Sequence, residues 1–173
     1  MSLGKRKYPV GVFGLCLMPN HFHAIVQPNE HGALSAYLRW VLGGYGCDFR
    51  IATQSVGHGH VFKGRFWNNI IDGERHFLTV LRYIEANPVR ANLVKSAEQW
   101  QWSSIVLRST NAALLDALPV AIPANWVDVV NAPMPLALVD AVWSPPQRGR
   151  PTLHSAAQNI VLRAADIEKD PHV

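Results

Sequence analysis

The order of strand and helix patterns along the chain predicts an α+β domain. Two apolar segments, residues 10–18 and 21–27, flank a Pro-Asn turn signal and predict a β-hairpin. Apolar residues at helical spacing predict a helix over residues 33–41, and a strand and a helix follow at 61–71 and 73–86. With 173 residues, 49% of them hydrophobic, the chain is long enough for one domain with a real core and an appendage.

Glycine and proline set the expected ends of the two helices. Gly43, Gly44 and Gly46 weaken the first helix and favour a break near them, after which the helical pattern can resume at Cys47, Phe49, Arg50 and Ile51. The second carries an apolar stripe that should pack on the sheet, and Asp72 is its expected N-cap. Pro88 disfavours helical geometry at the residue before it, so this helix should reach its last turn there.

The composition changes in the last third of the chain. From residue 109 onward Pro, Ala, Asn and Ser increase, and the periodicity becomes patchy. Short helices are predicted at residues 125–130 and 136–143, and a further helix at 156–167. We therefore divide the chain into a compact domain, residues 8–104, and an irregular, loop-rich C-terminal extension, residues 105–173.

Charge and cysteine content restrict the partners and the compartment. The formal net charge is +4 and the pI is about 9.3, which favours a polyanionic partner. Two cysteines without a C-x-x-C motif are too few for a disulfide framework. No segment holds the roughly 18 consecutive apolar residues that a membrane helix needs. These features predict a cytoplasmic protein without a membrane partner.

Two histidines lie where the hairpin returns. Side chains alternate between the faces of a strand, so His21 and His23 share one face and Phe22 points to the other. Two imidazoles at this spacing could share a metal ion, or they could be structural residues of an apolar strand. The spacing alone leaves both interpretations open.

A tyrosine and an asparagine lie one turn apart on the second helix. Tyr83 and Asn87 fall together at the margin of the apolar stripe. A tyrosine in that position is usually a packing residue whose hydroxyl reaches water. A role for Asn87 as a metal ligand depends on how the last turn closes.

Three motifs in order resemble one family. They are PNHFH at residues 19–23, GHVFKGRF at 59–66 and LRYIEANPVRA at 81–91, and WQWSS at 100–104 and RGRP at 148–151 also fit. Together they resemble the REP-associated tyrosine transposases, which are single-tyrosine members of the HUH endonuclease superfamily. The resemblance extends from about residue 11 to residue 151.

The resemblance implies a fold and a reaction. The fold would be a ferredoxin-like antiparallel sheet with helices on one face. His21 and His23 would bind Mg²⁺ or Mn²⁺, Asn87 would be the third ligand, and Tyr83 would be the nucleophile. The implied function is metal-dependent endonuclease and strand-transfer activity on single-stranded DNA, through a 5′-phosphotyrosine intermediate, next to hairpins of repetitive extragenic palindromes.

Basic and aromatic residues supply the expected DNA contacts. Phe66 and Trp67 could stack on unpaired bases or belong to the core. Arg148 and Arg150 resemble a minor-groove hook, with a basic linker as the alternative. The expected phosphate contacts are Lys63, Arg65, Arg82, Arg90 and Lys95.

One departure from the family concerns the start of the chain. The family normally has a strand and a helix before the segment that begins here near Gly11, so the chain resembles an N-terminally truncated member. A catalytically inactive DNA-binding remnant is therefore the alternative function. A sheet without an inner strand leaves backbone groups unpaired, which predicts marginal stability or strand pairing in a homodimer.

Overall fold

The fold is described from a computed structural model. It describes residues 2–57, 59–62, 66–111, 113–143 and 160–164. The strands are β1 (Val10–Leu17), β2 (Phe22–Pro28), β3 (Trp67–Ile70) and β4 (Ile160–Ala164). The helices are α1 (Ser2–Lys7), α2 (Ala33–Ala52), α3 (Gly73–Arg90), α4 (Ser104–Thr110), α5 (Trp126–Asn131) and α6 (Leu136–Trp143), with a 3₁₀ turn at Ala97–Gln99.

The predicted hairpin is confirmed. β1 and β2 pair antiparallel, with Cys16 opposite His23 and Leu17 opposite Phe22. The Met18 amide donates to the His21 carbonyl at 2.8 Å, which closes the turn at Pro19. The pairing shifts register between Val12 and Gly14, which marks a β-bulge. The β1 residues that face a given side of the sheet therefore have one parity before the bulge and the other parity after it.

The four described strands form one antiparallel sheet in the order β1-β2-β4-β3. β4 comes from the C-terminal extension and lies between β2 and β3. The expected helix over residues 156–167 is therefore wrong in this part. Helical periodicity over so short a segment is weak, and ladders on both sides of Ile160–Ala164 outweigh it.

The α+β class is confirmed, and the two long helices pack on opposite faces of the sheet. Phe13, Cys16 and Ile25 face α3 in one apolar cluster. Val12, Leu15 and Ala24 face α2 in the other. The helices thus cover two faces, where the resemblance implied one.

Helix α2 continues through its three glycines, so the predicted break is wrong. Ala33, Leu34, Tyr37 and Leu38 bury its first half, and the helix ends only at Ala52. Burial of one amphipathic face stabilises a helix more than single glycines destabilise it.

Helix α3 runs four residues beyond the predicted Ala86 and contains Pro88. The ring sits near the C-terminus, where only one intrahelical bond is lost, and the Leu93 amide still donates to the Pro88 carbonyl. Asp72 occupies the N-cap position but makes no side-chain cap. The predicted strand over residues 61–71 is shorter, since β3 covers only Trp67–Ile70.

Residues after α3 close the hairpin end of the sheet. The Trp100 indole donates to the Leu17 carbonyl, and the Leu17 amide donates to the Trp102 carbonyl. These two bonds join the chain after α3 to the end of β1. The short helices α5 and α6, both predicted, pack on α3.

Candidate functional site

The hairpin brings two histidines to the edge of the α3 face. His23 lies in β2 and is 1% exposed, whereas His21 lies in the turn and is half-buried. Their ring centroids are 4.9 Å apart, nearly perpendicular. His21 Nδ1 is 2.8 Å from the Asn20 side-chain oxygen, which orients that ring. The two imidazoles therefore adjoin, as their spacing predicted.

Helix α3 places Tyr83 against the same histidine. The ring centroids of His23 and Tyr83 are 5.6 Å apart, with an interplanar angle of 81°. Asn87 follows one turn later on α3 and is buried, and its amide nitrogen has no hydrogen-bond partner among the described residues. The guanidinium of Arg90 lies 4.7 Å from the centre of the Tyr83 ring. The helix thus places a phenol against His23 and a cation on that phenol, with the Asn87 amide one turn further along α3.

The protonation state of His23 suits a metal ligand. Burial, followed by the nearby His21, Arg163 and Arg90, lowers the pKa of His23 to about 3. The ring is therefore neutral near pH 7, and the described part of the chain offers its Nδ1 atom no hydrogen-bond partner. The described residues contain no group of three or more His, Cys, Asp or Glu side chains arranged for a metal. A third ligand from the described residues would be an amide oxygen, and Asn87 offers one.

These donors fit the ions that the resemblance implies. Two imidazole nitrogens and one amide oxygen suit Mn²⁺ at least as well as Mg²⁺. His21, His23 and Asn87 are the side chains that would hold the ion. This set of ligands contains neither a carboxylate nor a thiolate.

Trp143 covers the site, and the sequence interpretation gave it no role there. Its ring centroid lies 5.6 Å from those of His23, Tyr83 and Trp67. Tyr83 is consequently only 8% exposed. An apolar helix ending in tryptophan could be predicted from the sequence, but the contact of α6 with β2 depends on tertiary packing.

The basic residues proposed for DNA binding differ in their surroundings. Arg82 donates to the carbonyls of Ala132 and Pro133 at 3.0 and 3.1 Å, so it ties α3 to the chain before α6. Arg90 lies on Tyr83 and is exposed, as is Lys95. The other four predicted contacts, Lys63, Arg65, Arg148 and Arg150, fall outside the described residues.

A buried carboxylate on the other side of α3 fixes the helix that carries Tyr83. Glu85 is fully buried and accepts hydrogen bonds from the Ser104 hydroxyl at 2.5 Å and the Trp126 indole at 2.7 Å. Arg108 forms an ion pair with it and also donates to the Phe13 carbonyl. Sequence periodicity places Glu85 on α3 but does not reveal partners in α4 and α5.

Comparison with known proteins gives two matches. The family model described as "Transposase IS200 like" matches residues 4–87, just under half of the chain. A Haemophilus influenzae protein, whose name gives it provisionally as a REP-associated tyrosine transposase, is 27% identical over 105 residues. The predicted resemblance is confirmed.

The IS200-like match ends at Asn87, so it contains both histidines and Tyr83. Trp143, the partners of Glu85 and strand β4 lie beyond it. The alignment with the Haemophilus protein covers 56% of this chain and 60% of that protein's length. No solved structure matches.

The described helices include none that is both long enough and apolar enough to cross a membrane.

Proposed function

We propose that this transposase-like chain is a metal-dependent endonuclease and strand transferase acting on single-stranded DNA beside a hairpin. The observation that carries the proposal is the contact of Tyr83 with His23, whose ring centroids are 5.6 Å apart. His21, in the turn before β2, adjoins His23, and Asn87 lies one turn after Tyr83 on α3. A phenol beside side chains that can hold a metal ion is suited to phosphodiester cleavage with tyrosine as the nucleophile.

The proposed cleavage forms one bond and breaks one. The Tyr83 oxygen attacks the scissile phosphorus, and the bond from phosphorus to the 3′-oxygen breaks. The products are a 5′-phosphotyrosine and a free 3′-hydroxyl, with the phenolic proton lost to solvent and a proton taken up by the leaving oxygen. A 3′-hydroxyl from a second strand reverses the step without an external energy source.

The residues of the site have separate tasks in this reaction. A bound Mg²⁺ or Mn²⁺ supplies Lewis-acid polarisation of the phosphate. His21 and His23 hold the ion, and the pKa of His23, lowered to about 3, keeps that ring available as a ligand. Arg90 brings a positive charge over Tyr83, where the phosphate must approach. The cytoplasm, where both cysteines would stay reduced, is the proposed location.

The test is covalent capture of a labelled hairpin oligonucleotide with Mn²⁺. The wild-type chain should form an adduct that survives denaturing electrophoresis, and Tyr83→Phe should form none. His23→Ala should abolish the adduct while retaining much of the DNA affinity. Tyr8→Phe, a matched tyrosine outside the site, should behave as the wild type. An adduct that persists in Tyr83→Phe would exclude Tyr83 as the nucleophile.

A catalytically inactive DNA-binding protein is the second candidate function. The observation that favours it is the cover over Tyr83, which leaves 8% of the residue exposed beneath Trp143. Trp143→Ala separates the two candidates because it removes that cover. If the ring only gates an active site, the variant should form adduct at least as fast as the wild type. Salt-sensitive DNA binding without an adduct in either protein would support the inactive candidate.

A further inference from the structure

A second concave site adjoins the candidate metal ligands on the α2 side of the hairpin. This pocket has a volume of about 730 Å³, within the range of small-ligand sites. His21 forms part of its wall, together with Leu17 and Phe22 of the hairpin, and Trp40 and Tyr45 of α2 line the opposite side. The pocket and the candidate site therefore share one residue, His21.

Flat aromatic surfaces reach solvent around this pocket. Trp40 is 37% exposed and Tyr45 is 47% exposed. Tyr45 stacks on Phe49 at a centroid distance of 6.0 Å and contacts Phe62 at 5.7 Å. Neighbouring rings hold Tyr45 in place while much of it stays uncovered. Unpaired bases stack on aromatic rings that are exposed to solvent and fixed in position.

Two helical glycines line the same pocket. A Cβ atom at Gly43 or Gly44 would meet nothing within 4 Å, so close packing does not require glycine at either position. A glycine inside a helix destabilises that helix relative to alanine. Glycine is favoured where a ligand approaches the backbone closely. The pair gives α2 a bare surface opposite the hairpin.

The charges on the lining favour a base over a phosphate. Arg39 supplies a cation, and Asp48, nine positions further along α2, supplies an anion. A carboxylate repels a phosphate but accepts hydrogen bonds from base amino and imino groups. A phosphate held at His21 and His23 would place the adjoining nucleotide of the same strand at the pocket mouth.

From this arrangement we infer that the pocket between α2 and the hairpin binds one unstacked nucleobase next to the scissile phosphate. The inference rests on the proposed function, since it assumes that the scissile phosphate lies at His21. Helix α2 would then help to determine which DNA site is bound. The base would stack on Tyr45 and lie against the uncovered backbone at Gly43 and Gly44.

The experiment measures binding of fluorescent hairpin oligonucleotides with a single-stranded flank, without divalent metal. An abasic nucleotide replaces each flank position in turn. We expect one position at which the abasic change weakens binding to the wild type about tenfold. Tyr45→Ala should bind the intact oligonucleotide about tenfold more weakly and lose that positional effect. Trp102→Ala, an equally exposed aromatic outside the pocket, should keep both.

The double variant Gly43→Ala/Gly44→Ala separates an effect on DNA binding from an effect on folding. It should bind the oligonucleotide more weakly although its folded state is more stable. Equal affinity of the wild type, Tyr45→Ala and the double variant would overturn the inference. So would a change in oligomeric state on sedimentation in place of a change in affinity, because the pocket would then bind a second copy.

The two proposals fail in different ways. Position-specific binding through Tyr45 without any covalent adduct would keep the base pocket and reject the nuclease. An adduct that forms equally fast in the wild type and Tyr45→Ala, without any positional effect on binding, would keep the nuclease and reject the pocket.

Discussion

Glu85 is the single residue on which the position of α3 most depends. Its carboxylate is fully buried and receives the hydroxyl of Ser104, the indole of Trp126 and the guanidinium of Arg108. Burial lowers the pKa of Arg108 to about 10, yet the group stays charged near neutral pH beside this carboxylate. Removing one partner of such a pair leaves the other charge buried without compensation.

We predict that Glu85→Ala lowers the free energy of unfolding by about 3–5 kcal/mol. The measurement is urea unfolding followed by tryptophan fluorescence. Glu98→Ala is the matched control, because Glu98 also bonds a residue of α5, Asn131, but does so at the surface. The control should lose about 1 kcal/mol or less. Equal losses in the two variants would show that the buried network does not fix α3.

At the scale of elements, α2 shows how packing outweighs local preference. The apolar first half of this helix is buried against the sheet, and the helix continues through Gly43, Gly44 and Gly46 to Ala52. The glycines cost stability without terminating the helix. At Gly14 in β1, by contrast, close packing favours glycine, because an added Cβ would lie 2.9 Å from a Leu81 methyl.

Gly43→Ala and Gly44→Ala should each raise the free energy of unfolding by about 0.5–1 kcal/mol, because the backbone loses less entropy on folding and the new methyl meets no obstacle. Thermal unfolding without DNA would measure this. Gly14→Ala is the opposing control and should lower stability, since Leu81 or the strand must move. Destabilisation by the α2 substitutions would mean that a neighbouring chain segment packs there.

At the scale of the whole molecule, the sheet is continuous because a distant segment completes it. β4 pairs with β2 on one side and with β3 on the other. In this arrangement the inner position is filled within a single chain. Exchange of β4 between two copies would give the same pairing in a homodimer, which is how a dimer would arise here.

Leu162→Pro tests the inner strand. Position 162 faces Ala24 of β2 and Asn68 of β3 in the ladders. Proline removes a backbone donor and leaves a buried acceptor unpaired, so we predict a loss of at least about 2 kcal/mol. Chemical unfolding measures the loss, with Leu162→Val as the control that keeps the donor. Sedimentation of the wild type decides between a monomer and an exchanged dimer, and an unchanged stability of Leu162→Pro would exclude β4 from the sheet.

The sequence by itself determined the main local elements and supplied the residues proposed for the candidate site. Alternation around the turn at Pro19 predicted the hairpin and put His21 and His23 side by side. Helical spacing put Tyr83 and Asn87 one turn apart. These predictions hold because they depend on backbone periods that neighbouring residues share. The ordered motifs added the resemblance to a transposase family, which periodicity alone does not give.

Only the tertiary structure decided what surrounds those residues. Trp143 over Tyr83, the partners of Glu85 and the position of β4 all join segments far apart in the chain. Such contacts depend on which faces meet after the chain folds, and no local pattern encodes them. The same cause explains two of the errors in the predicted elements. Tertiary burial carried α2 through its glycines, and pairing with two strands made residues 160–164 a strand.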